Sequence, residues 1–152
     1  MTVTNGYGAE LPLLFGVLEQ GWMKRHSAYP VAKPWGAEVN RDTDCKVDGK
    51  PIPYLRLSRR GAGGQPIEFG NPGSNQHAFT SLCIVDIFVP KADGAPLASQ
   101  FGDELMDDFS GFFREPDLLR LRRIAYSDVG VESTGVWYQG SLTITYERYR
   151  AQ

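Results

Sequence analysis

The side chains able to do chemistry are few and far apart. His26 stands in KRHS at the end of the first helical stretch, and His77 stands in a Gly/Asn-rich stretch. Neither imidazole has a carboxylate or nucleophile at a useful spacing to make it a general base. Each therefore reads as a surface or capping group, and a cation near a helix C-terminus is favoured by the helix dipole. No nucleophile elbow or reactive-cysteine signature accompanies them. Cys45 and Cys83 are too few for a disulfide framework or a four-ligand zinc site, and Cys83 sits in an apolar run as a packing thiol. The glycine-rich GAGGQP lacks the Lys-Ser/Thr pair that a phosphate-binding loop needs. The residues therefore predict no catalytic group, no cofactor and no metal.

Two charged groupings remain. Asp103, Glu104, Asp107 and Asp108 lie within one helical stretch, where residues four apart approach a common point. A hard cation would want more oxygen ligands than these provide. The grouping reads either as a solvated helix face or as an acidic surface that meets a basic strip on a neighbour. Arg120, Arg122 and Arg123 supply such a strip in LLRLRRIAY, with Arg59 and Arg60 elsewhere. Strand alternation would set Arg120 and Arg122 on the face opposite Leu119 and Leu121. Acids exceed bases by 18 to 16, giving a net charge of −2. Without a net basic field, pairing with protein is favoured over pairing with DNA.

The elements that must carry these groups follow from periodicity. Leu11, Leu14, Phe15, Leu18 and Trp22 recur at helical spacing and predict a helix over 11–24, with Pro12 in its first turn. Residues 29–39 and 50–60 read as extended segments, and VDGK between them carries the Asp-Gly signature of a tight hairpin. Residues 61–77 have loop composition, and a loop that long is usually functional. Its Gly61, Gly64, Phe69, Asn71 and Asn75 are candidates for docking onto a partner. AFTSLCIVDIFVP predicts a central strand over 78–90, apolar on nearly both faces. Leu97, Phe101, Leu105 and Phe109 predict a second amphipathic helix over 96–113. Strands over 118–126 and 136–150 close the chain.

With 152 residues, 41% hydrophobic and 22% charged, the chain suits one folded domain over 1–152. The expected fold is α+β, a mostly antiparallel sheet with two amphipathic helices packed on one face. No apolar run reaches the length of a membrane span. The opening MTVTNGYGAELPLLFGVL has no basic segment before its apolar residues and does not read as a signal peptide.

Three stretches carry a resemblance to a known family. SLCIVDIFVPKADG runs directly into APLASQFGDELMDDFSG, GVWYQGSLTITYERY forms a closing strand, and the opening helix is followed by PVAKPWGAEVN. In this order the chain resembles the tail-terminator proteins of long-tailed bacteriophages. The resemblance spans most of the chain, although RDTDC after Asn40 and the stretch around 61–77 depart from it. It implies a structural virion protein without enzymatic activity that forms a homo-oligomeric ring, hexameric in the family. The ring would close the tail tube at the head-proximal end and join it to neck and head-completion proteins. Genome DNA would meet it only in passage through the lumen, no membrane would be involved, and assembly would occur in the host cytoplasm. Another neck or tail-tube subunit, or a small-molecule-binding α+β module, is the alternative.

Overall fold

The computed structural model describes residues 7–36, 38–66, 76–112 and 119–151. The apolar stripe of the first helical stretch forms α1 (Tyr7–Gln20), and Gly21 interrupts it before the short α2 (Trp22–Arg25). Leu14, Phe15, Leu18 and Trp22 are buried, as their spacing predicts. The chain then gives β1 (Val31–Ala32), β2 (Lys46–Val47), β3 (Lys50–Pro51), β4 (Tyr54–Pro66), β5 (Gln76–Pro90), α3 (Gly94–Phe112), β6 (Leu119–Val131) and β7 (Trp137–Ala151). Five strands form one sheet in the order β1-β4-β5-β7-β6, antiparallel except for the β1–β4 pair. The fold is the expected α+β arrangement.

Three expectations need correction. Among the described residues of 29–39, only Val31 and Ala32 form a strand, and it runs parallel to β4. Pro30 and Pro34 bracket it, and a proline has no N–H to give to a ladder. The Asp-Gly turn is real, with Asp48 at φ 53° and Gly49 at φ 78°, both left-handed as a two-residue hairpin requires. It joins β2 to β3 in a separate two-stranded sheet, not the two predicted segments. Residues 61–66 and 76–77 of the expected 61–77 loop are strand. Gly61 and Gly64 lie within β4, either side of a register shift against β5, and His77 lies in β5 opposite Pro66. A glycine pair is tolerated there because a bulge relaxes the ladder. Phe69, Asn71 and Asn75 lie outside the described residues.

All three helices pack on one face of the sheet. Leu55 and Leu57 of β4, Cys83, Val85, Ile87 and Val89 of β5, and Leu142, Ile144 and Tyr146 of β7 alternate toward that face. Phe101, Leu105 and Phe109 of α3 close the core over them. Each such side chain contributes roughly 1.5–3 kcal/mol when fully buried. α3 comes close to the sheet because Gly102 and Gly140 leave room for the Tyr126 ring. A Cβ at Gly102 would stand 2.7 Å from that ring, and one at Gly140 would meet its hydroxyl.

Candidate interaction surfaces

The structure divides the four acids of α3 into two pairs. Glu104 and Asp108 turn toward α2, where Arg25 takes both. Arg25 Nη1 and Nη2 donate to the two carboxylate oxygens of Asp108 at 3.0 and 2.6 Å, and Nε donates to Glu104 at 3.0 Å. The hydrogen bonds to Asp108 raise the Arg25 pKa, against the opposing effect of burial. Gly21 makes room for this fork, since a Cβ there would stand 2.7 Å from the Asp108 carboxylate. His26 follows α2, and its backbone N–H donates to the Trp22 carbonyl. Its ring meets Glu104 at 3.0 Å and stacks on Tyr29 with centroids 5.4 Å apart. Asp103 and Asp107 instead face solvent and form no ion pair among the described residues.

The arginine strip is divided as well. Arg122 Nε lies 3.3 Å from Glu147 on the neighbouring β7, so its charge is already matched inside the chain. Arg120 stands at the register position opposite Glu147. A bulge between Leu121 and Arg123 breaks the simple alternation, and Arg123 aligns with Thr145 and stays exposed. Of the predicted acidic helix and arginine strip, the described side chains without an ion pair are Asp103 and Asp107 on α3 and Arg123 on β6, while the side chain of Arg120 lies outside the described residues.

Arg60 joins them. The ladder sets Arg60, Leu82, Thr145 and Arg123 in one row across β4, β5, β7 and β6. Residues directly opposite on neighbouring strands share a face, so both arginines flank the face away from the helices. Two further rows lie beside it, Ser58–Ile84–Thr143–Ala125 and Arg56–Asp86–Ser141–Ser127. Ile84, Leu82, Thr143, Thr145 and Ala125 are half-buried there, under no helix among the described residues. Arg56 and Gln139 both hydrogen-bond Asp86, which neutralises and fixes that carboxylate. Sequence reading missed Arg60 as a partner of Arg123, because only strand register brings positions 60 and 123 into one row.

One end of this second face is closed. The segment before β2 lays Cys45 against Tyr54, Phe88 and Trp137. Tyr54 stacks on Phe88 at 4.5 Å, and the Arg41 guanidinium sits 4.4 Å over the Trp137 ring while pairing with Glu132. Cation–ring contact of this kind holds a strap onto a sheet. No helix among the described residues covers the rest of the face.

Burial pushes the Cys45 thiol up to about 11 and the Cys83 thiol up to about 12, which keeps both protonated and poorly nucleophilic at neutral pH. Among the described residues no three His, Cys, Asp or Glu side chains come together as a metal site. An open cleft of about 470 Å³ between α1 and α3 is lined by Leu13, Val17 and Gly21, and its one carboxylate, Asp108, is held by Arg25. A ligand site needs several converging polar groups, and the two polar side chains lining this cleft, Asp108 and Gln20, are engaged by Arg25 and Lys24. No helix among the described residues is long and apolar enough to cross a membrane.

No protein-family model matches this chain, and no curated protein matches it. A solved protein structure superposes on 90% of this chain and 94% of its own, with a TM-score of 0.55 at 17% identity. At that identity the likeness shows the fold alone.

Proposed function

We propose that the chain is a ring-forming structural subunit of a long phage-type tail, placed at the head-proximal end of the tail tube. It would close the tube there and join it to the neck. The observation that carries this reading is the asymmetry of the domain. One side ends in a helix whose exposed Asp103 and Asp107 form no ion pair among the described residues, and the opposite side ends in a sheet face flanked by Arg60 and Arg123. A domain with two different, complementary sides suits a heterologous contact, in which each copy offers one patch to the next. Such contacts close into rings when the rotation between copies permits. The likeness of SLCIVDIFVPKADG, its following helix and GVWYQGSLTITYERY to tail terminators supplies the place of that ring in a virion.

The reading assigns no catalysis and no cofactor to the chain. Its partners are further copies of itself, the tail-tube protein and a neck protein, with genome DNA passing through the lumen. The test is to polymerise the tail-tube protein of the same particle in the presence of this chain and image the products. Tubes of limited length with density at one end are expected. Incorporation along the tube wall would make the chain a tube subunit, and free tubes beside free protein would overturn the reading.

A further inference from the structure

We infer that successive copies meet by seating the outer ridge of α3 on the open sheet face of the next copy, with Asp103 and Asp107 of one facing Arg60 and Arg123 of the other. This deepens the proposed ring and rests on it. The ridge is read directly from exposure: Pro96, Gln100, Asp103, Asp107 and Gly111 are the exposed positions of α3 from its first turn to its last. Their spacing of three and four places them in one stripe opposite the buried Phe101, Leu105 and Phe109. No side chain in the stripe is large and apolar, and its two carboxylates have no ion pair among the described residues.

The receiving surface has matching dimensions and sign. Arg60 and Arg123 stand at the two ends of a row that crosses four strands. Three strand spacings separate those ends, about 14 Å. A helix with its side chains is about 10–12 Å across, so one helix fits between the two arginines. The strip between them is Leu82, Thr145, Ile84, Thr143 and Ala125, half-buried and free of large side chains that would hold a helix away. The other charges near the strip are already matched within the chain, Arg56 by Asp86 and Arg122 by Glu147. Among the described side chains, Arg60 and Arg123 on one surface and Asp103 and Asp107 on the other form no ion pair.

The alternative route to a ring, pairing of sheet edges, is disfavoured by the same strands. β6 forms one edge and is bulged at Leu121/Arg123 and at Asp128/Gly130. β4 runs beyond β1 at the other edge and has a register shift at Gly61/Gly64. Arginines lie along both strands. Bulges and charges of this kind are how natural sheets discourage edge pairing. The covered contact must therefore use faces.

The test uses full chains carrying paired reversals, Asp103→Lys with Asp107→Lys, and Arg60→Glu with Arg123→Glu. Each is examined by sedimentation velocity beside the wild type, with circular dichroism to confirm folding. Each variant alone presents like charges on both of its sides, and its association should weaken by roughly a hundredfold. Mixing the two should restore the oligomer, because each then supplies the sign the other lacks. A chain carrying all four reversals should also assemble. Oligomers that tolerate both single-side variants would overturn this contact and leave the ring standing. A wild type that stays monomeric at every concentration and with tube protein would overturn both. If Arg60→Glu/Arg123→Glu lowers retention on duplex DNA and leaves the mass unchanged, the face meets nucleic acid and the inference falls.

Discussion

The two faces of the sheet differ in kind. Toward the helices, Leu55, Val85, Ile87, Leu142 and Ile144 are fully buried and apolar, in one core cluster with residues of α1, α2 and α3. Toward the other side, the same strands present Ser58, Ile84, Thr143 and Ala125, half-covered and mixed in polarity. Alternation in a strand lets one stretch of sequence serve both purposes. The first face holds the fold together. The second is inexpensive to alter as far as stability goes, which leaves it available for association.

This contrast is broken most directly by matched substitutions. Phe109→Ala should lower stability by about 3–5 kcal/mol in urea denaturation, since the ring is fully buried between α3 and the core. Thr143→Ala on the open face should stay within about 0.5 kcal/mol of wild type. Comparable losses at the two sites would show that the open face is covered in the isolated chain. Next in size come the glycines beneath Tyr126. Gly102→Ala and Gly140→Ala should each cost about 1–3 kcal/mol by overpacking against that ring. Combining either with Tyr126→Ala should cost less than the sum of the separate effects, because the clash is then gone.

Buried thiols give a pH signature of the covered face. Burial raises the Cys83 thiol from 9.0 to about 12, so the folded chain keeps its proton where the unfolded chain releases it. That stability is fully present below pH 9 and is lost as pH rises toward about 12. Thermal unfolding followed across this window should show a falling midpoint, with a shallower fall in Cys83→Ala. The smallest effect belongs to the bridge between α2 and α3. Arg25 is partly exposed, so Arg25→Ala should cost about 1 kcal/mol or less, and the loss should shrink in high salt.

How much of this was legible in the residues depended on the range of the interaction. The stripes of α1 and α3 and the strand β5 were readable because apolar spacing is a local signal. The Asp-Gly turn was readable because its φ angles are a property of two residues. β4 was cut short at Gly61 because glycine composition argues for a loop, while the length of the partner β5 carries pairing on to Pro66. The short parallel β1 was over-read because its pairing depends on a distant strand. Of the charged groups, Asp103 and Asp107 were placed correctly on an exposed ridge. Glu104 and Asp108 were not separable from them by sequence, because their partner Arg25 lies 79 and 83 positions away. Arg122 is exposed as strand alternation predicts, but its contact with Glu147 was not readable, because only strand pairing brings positions 122 and 147 together.

The measurement that tests the central claim most directly is the mass of the purified chain in solution across concentration, alone and with the tail-tube protein. The account predicts a closed oligomer of fixed size, formed by the chain itself or on the end of the tube. A chain that remains monomeric under both conditions would contradict it.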